Sequence, residues 1–258
     1  MAAFGKWASP AQCRKLGGFL PFPDHPFVVY RGLGSGARLS MTIRSSLPKE
    51  SVEIMLRTVV LTLSALVVGA ACLAVSGPLL GDVAVTTALQ SAFGPSPQWA
   101  EWVTDTAKPP LVIATMSGGA GLAGLVTGWR GAVAIPLAFG LGWLLDKALR
   151  AVIFAPRPAT ELVEVASASS SSGLPSTFGL VYGSIFGAVL LATANGKIAL
   201  ATRAFAVALI IIGAAARVVL GGHWASQMLA SILLGLAVAA AALAMTNLIG
   251  RRERANVH

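Results

Sequence analysis

Arg150, Arg157, Arg217 and His223 are the side chains whose types and spacing suit them to handling an anion. Arg157-Pro158 follows Arg150 after six residues, His223 follows Ala216-Arg217 after five, and Gln227 follows His223 after three more. Between these groups runs a serine-rich stretch, 167–172, leading into Leu174-Pro175-Ser176-Thr177-Phe178 at the start of an apolar segment. Guanidinium forks bind the oxygens of a phosphate through bidentate, charge-assisted hydrogen bonds. A serine opening a helix, with the free N–H groups of the first turn, adds an anion-binding terminus. A neutral imidazole can attack phosphorus as a nucleophile. A second use of the arginines needs no ligand: they can snorkel to lipid phosphates, or pair with Asp146, Glu161 and Glu164.

The ordered set resembles the type 2 phosphatidic acid phosphatase family, the lipid phosphate phosphatases that share a fold with vanadium haloperoxidases. That family carries three motifs: Lys, six residues, Arg-Pro; then Pro-Ser-Gly-His; then Ser-Arg, five residues, His, three residues, Asp. The resemblance covers roughly residues 55–250. It implies an all-α, six-span membrane bundle in which Arg150, Arg157, Ser176, Thr177 and Arg217 bind phosphate. It also implies that His223 is the nucleophile, giving a phosphohistidine that water hydrolyses without metal or cofactor. Vanadate or phosphate is expected to occupy the arginine cluster.

Two departures from the motifs are mild, since Arg150 for Lys and Ala216 for Ser keep the cradle cationic. Two are not. Phe178 stands where the family has the His that protonates the leaving alkoxide, and Gln227 where it has the Asp that orients the nucleophile. Losing a general acid costs ~10²–10⁴ in rate. Replacing the carboxylate behind a catalytic imidazole by an amide costs ~10⁴ in the serine-protease template. If the stretch is helical, Gln227 lies one turn after His223 and can accept from its Nδ1–H, orienting it without stabilising an imidazolium. His25 and His258 lie at the chain ends, on the other side of the membrane, and Glu161 or Glu164 is the remaining candidate acid. Two functions follow. In one, the chain binds a lipid phosphate or pyrophosphate and hydrolyses it weakly or not at all. In the other, it is an active phosphatase on phosphatidic acid or a polyprenyl diphosphate, whose leaving group needs no general acid.

The elements that must position these residues are membrane spans. Of 258 residues, 55% are apolar and 11% charged, against roughly 25% charged in a soluble domain. Windows 58–81, 109–129, 131–145, 165–196, 204–216 and 218–250 hold no Asp, Glu, Lys or Arg. Alone or with their flanks, these reach the ~20 apolar positions that cross a bilayer. We expect spans at 58–80, 110–128, 131–154, 178–194, 198–220 and 225–249. Most of the 19 basic residues then lie on one side with both termini, which predicts termini in the cytoplasm of a bacterial-type inner membrane. The arginine cluster then falls on the periplasmic side. Residues 82–109 read as two short amphipathic helices on that surface, broken at Gly94-Pro95-Ser96-Pro97.

The glycines Gly118, Gly119, Gly121, Gly124 and Gly128 read as close helix packing within the subunit. Residues 1–54 carry basic residues without sustained periodicity; they form a disordered tail, or the start lies downstream at Met41. Residues 251–258 form a basic cytoplasmic end. Cys13 and Cys72 make no disulfide framework, and no signal peptide is expected. The net charge of +9 flanks apolar spans, which argues against a nucleic-acid partner. Charges at span ends rather than mid-membrane, and no convincing repeat, argue against a transporter. The sequence leaves the oligomeric state open.

Overall fold

The computed structural model describes residues 49–255, so Met41, Cys13, His25, His258 and the expected tail lie outside the described residues. Within that range the regular elements are helices: α1 (Lys49–Val75), α2 (Asp82–Phe93), α3 (Gln98–Asp105), α4 (Leu111–Thr127), α5 (Trp129–Val152), α6 (Thr177–Leu191), α7 (Lys197–Val219) and α8 (Ala225–Ala255). Four of them contain apolar stretches of 24, 24, 23 and 25 residues, in α1, α5, α7 and α8, enough to cross a membrane. The other two expected spans are shorter: α4 has 17 residues and α6 only 15. At 1.5 Å per residue α6 rises only ~22 Å, less than the ~30 Å hydrocarbon layer.

Burial explains how so short a helix persists. Every residue from Phe178 to Val189 is buried, because α6 is enclosed by its neighbours α4, α5, α7 and α8. It meets protein rather than lipid, so it need not match the bilayer. Large exposed hydrophobics sit instead on the outer helices, such as Leu63 and Val67 on α1 and Ile211 on α7. Backbone does not meet backbone on glycine-rich α4, where a Cβ added to Gly118 or Gly121 would meet open space and one on Gly119 a side chain. It does at the α6–α8 crossing, where a Cβ on Gly183 would lie 2.6 Å from the Ile232 carbonyl, and one on Gly235 2.8 Å from Gly183 Cα. The α4 expectation holds for Gly119, which packs against Ile185 of α6.

Local chemistry sets the other boundaries. The first span starts earlier than expected, at Lys49, and stops at Val75 ahead of Gly77-Pro78, since proline cannot continue a helix. The expected break at Gly94–Pro97 separates α2 from α3. Buried Asp82 opens α2 and ties it to the start of α8: its carboxylate accepts from Ser226 N at 2.9 Å and Ser226 Oγ at 2.6 Å. The last helix runs on through the expected basic end to Ala255.

Candidate functional site

The site forms where the last turn of α5, the 153–176 loop, the start of α6 and the α7–α8 turn meet. The loop is held from both sides. Gly173 N donates to Ala155 O at 2.7 Å, Ala166 N donates to Leu220 O at 3.1 Å, and Gln90 of α2 donates to Glu164 O and Val219 O at 2.7 and 2.9 Å. These bonds bring residues distant in sequence against the end of α7.

Arg150 sits one turn after Asp146 on α5 and donates through Nε to its Oδ1 at 3.0 Å. Its other nitrogens reach Ser172 O, Pro175 O and Thr177 Oγ1, and Thr177 Oγ1 in turn donates to Asp146 Oδ1 at 3.0 Å. Arg150 is therefore largely committed to holding the loop and the entry to α6. The pairing with Asp146 that spacing allowed is formed. Glu161 and Glu164 are exposed, and neither pairs with an arginine among the described residues.

Arg157 donates from Nε to Ser171 O (2.8 Å), from Nη1 to Gly222 O (2.7 Å) and from Nη2 to Ser171 Oγ (2.9 Å). Its Nη1 also faces His223 Nε2 at 3.3 Å. His223 is 2% exposed, and its Nδ1 lies 2.8 Å from Gly173 O. A carbonyl only accepts and a guanidinium only donates, so both contacts demand the same tautomer. The proton is on Nδ1 and the lone pair on Nε2, facing Arg157. Burial, then the charges of Arg217 and Arg157, push the His223 pKa well below the usual imidazole value, opposed by the Gly173 bond. The ring is neutral at pH 7. Burial, then Arg217 and Arg150, lower the Arg157 pKa to about 10.

Arg217 completes the cluster. Among the described residues it has no ion-pair partner, and its buried Nε has no hydrogen-bond partner. Its guanidinium packs over Gly222, where an added Cβ would lie 2.6 Å from Nη2. Three guanidinium groups thus act on one another and on one imidazole, and Arg217 lacks the loop carbonyls that occupy the other two. A guanidinium so placed has the charge and the free donor to take an anion.

Two expected roles, those of Ser176 and Gln227, are corrected. Ser176 is fully buried: its Oγ accepts from Gly179 N at 3.3 Å and its N–H donates to Ser231 Oγ at 2.7 Å. It caps α6 rather than presenting a hydroxyl to a ligand. Gln227 does not bond His223, because α8 begins at Ala225 and helical spacing does not reach back to residue 223. Its amide accepts from Trp224 N at 3.2 Å and donates to Pro156 O at 2.8 Å. It also packs against Gly173, where a Cβ would approach it to 2.7 Å, so it supports the carbonyl that orients His223. Phe178 turns into the core, stacked on Tyr182 at 4.2 Å and packed against Gly213, with no proton to offer. Thr177 is exposed beside Arg150. Sequence reasoning missed Gly173 and Gly222. The serine run was visible, but backbone carbonyls, which no side-chain pattern reports, supply much of its part in the site.

Comparison with known proteins gives the family. A solved structure, described as the first transmembrane PAP2-type phosphatidylglycerolphosphate phosphatase from Bacillus subtilis, is similar at 20% identity and a TM-score of 0.47. The likeness covers 74% of this chain and 93% of that one. No curated protein matches the sequence. The sequence profile of the PAP2 superfamily matches residues 122–251, which take in Arg150, Arg157, Arg217 and His223 together with the helices that carry them, about half of the chain. A match of that extent, over the segment that builds the cluster, makes this chain a member of the PAP2 superfamily.

Proposed function

We propose that this membrane protein binds the phosphate or pyrophosphate head group of a lipid between Arg157, Arg217 and His223. The observation that carries the reading is half-buried Arg217, whose buried Nε has no hydrogen-bond partner, beside a neutral imidazole whose Nε2 lone pair faces Arg157. The reading includes α4 and α6 as crossings five and six of the bundle, both termini in the cytoplasm, and the site at the periplasmic face of an inner membrane.

In this proposal His223 Nε2 attacks phosphorus, the bond to the leaving oxygen breaks, and water later cleaves the P–N bond to release phosphate. Hydrolysis of a phosphate monoester is weak or absent, because Phe178 offers no proton to a departing alkoxide and Gln227 offers no charge to the imidazole. A second reading is favoured by the tautomer that Gly173 fixes. With the nucleophile set up, a lipid pyrophosphate such as a polyprenyl diphosphate can react at its terminal phosphorus, since the lipid monophosphate leaves without prior protonation and phosphate is released when water cleaves the P–N bond.

The test is phosphate release by the purified protein from phosphatidic acid, phosphatidylglycerol phosphate and a polyprenyl diphosphate. Release from the diphosphate that disappears in His223→Ala supports the enzyme. No release, with vanadate binding that depends on Arg217, supports the binder. Neither release nor binding removes the proposal.

A further inference from the structure

The far end of the bundle holds a cavity of about 130 Å³ that plays no part in the His223 site. Its walls come from the start of α1, the α4–α5 turn, the end of α6 and the C-terminal half of α8. Arg57, Arg130, Thr193 and Asn247 give it two cations, a hydroxyl and an amide, beside Thr127 and Thr246, whose hydroxyls donate to Ala123 O and Leu243 O, with no carboxylate among the lining residues described. Arg130 lies twenty residues before Arg150 on α5, ~30 Å at 1.5 Å per residue, which is the thickness of a hydrocarbon layer. The two arginine clusters therefore sit at opposite faces of the membrane.

The cavity is built and placed like an interfacial site. Arg203 of α7 donates to Ala192 O and, at 2.7 Å, to Ala194 O, fixing the segment that carries Thr193. Arg130 lies over the ring of exposed Trp129 at 5.6 Å, an arrangement suited to the membrane–water boundary. Arg57 pairs with Glu53 four residues before it, an exposed contact that yields readily to a stronger anion. Beside the opening, Met55, Leu56, Val59 and Val60 leave an apolar face of α1 exposed, along which acyl chains can lie.

We infer that this cavity binds the phosphate of an anionic phospholipid in the leaflet opposite His223, with Arg57 and Arg130 as the cationic ligands. The inference does not depend on whether His223 hydrolyses anything. Native mass spectrometry of the full chain in detergent, titrated with phosphatidylglycerol, phosphatidylcholine or inorganic phosphate, tests it. We expect phosphatidylglycerol to bind preferentially, with retention at least ~10-fold weaker in Arg57→Gln/Arg130→Gln and near wild type in Arg57→Lys/Arg130→Lys. Asn247→Glu, which places a carboxylate in the cavity from the middle of a helix, should give the same loss if the double variant does not fold. Vanadate binding at the His223 end should be unchanged in all of them. Wild-type retention in either charge variant overturns the inference, as does loss only in Arg217→Gln. Inorganic phosphate displacing the lipid completely at equal concentration overturns the lipid assignment.

Discussion

Arg217→Gln and Arg150→Gln separate two arginines that the sequence treats alike. Arg217 has no partner for its buried Nε, so removing its charge costs the resting fold nothing in lost bonds and relieves repulsion with Arg157. An anion bound there loses charge-assisted hydrogen bonds worth ~1.5–3 kcal/mol. At ~1.4 kcal/mol per decade, orthovanadate affinity should fall ~10- to 100-fold while the melting temperature stays level or rises. Arg150→Gln should do the reverse. It leaves the Asp146 carboxylate, 4% exposed, without a counter-charge and with only the Thr177 hydroxyl as partner, and it frees the Ser172 and Pro175 carbonyls. Breaking a buried ion pair costs ~3–5 kcal/mol, and Arg150 at 21% exposure puts this one near the lower end. Isothermal titration with orthovanadate and thermal unfolding in detergent read both quantities. Equal melting-temperature losses in the two variants, or undiminished vanadate binding in Arg217→Gln, would refute the division of labour.

Other perturbations test the geometry separately. Arg157 has a pKa lowered to about 10 in the free protein, and a bound anion raises it, so vanadate affinity should fall as pH climbs through about 10; Arg157→Gln should abolish that limb. His223 has a depressed pKa, so the unfolded chain takes up its proton first as pH drops below about 6.5. Stability should therefore decline below that pH in wild type and less steeply in His223→Gln, read by thermal unfolding across pH. Gly222→Ala drives a methyl against the end of the Arg217 side chain, which can shift; it should weaken vanadate binding with little change in melting temperature. Gly183→Ala meets the Ile232 backbone carbonyl and should destabilise by ~1–3 kcal/mol or more, visible as a lower melting temperature with vanadate affinity retained in the folded fraction.

The membrane class and the helix order were legible because charge-free windows leave few alternatives in a chain this apolar. The break at Gly94–Pro97 was legible because glycine and proline act locally. Helix lengths were not. The sequence around α6 is as apolar as a span, yet the helix has 15 residues and is enclosed by its neighbours, which no local pattern reports. At the site, the convergence of Arg150, Arg157, Arg217 and His223 followed from motif order, since each lies at or beside a helix end. The partners did not follow. Gln227 has the right spacing to reach His223 within a helix, yet the helix starts two residues too late. The bond it was expected to make goes to the Gly173 carbonyl, which carries no signature in sequence.

That substitution of a carbonyl for a carboxylate changes what the missing residues cost. In the protease template the amide penalty of ~10⁴ arises chiefly from the wrong tautomer. Here Gly173 and Arg157 both enforce the reactive tautomer without Gln227, so the orienting part of that penalty does not apply. Arg150 contributes from a distance, since it holds the carbonyls of Ser172 and Pro175 on either side of Gly173. Nothing equivalent repairs Phe178, whose ring is spent on Tyr182 and Gly213. Under the proposed chemistry the deficit is therefore one of protonation, and it scales with the basicity of the leaving group. A departing alkoxide bears the whole ~10²–10⁴ loss, whereas a departing phosphate bears little of it. The ratio of diphosphate to monoester hydrolysis is therefore the quantity that tests the proposal most directly. Comparable rates on both substrates would require a proton donor in the cradle, which neither Phe178 nor the exposed Glu161 and Glu164 supply.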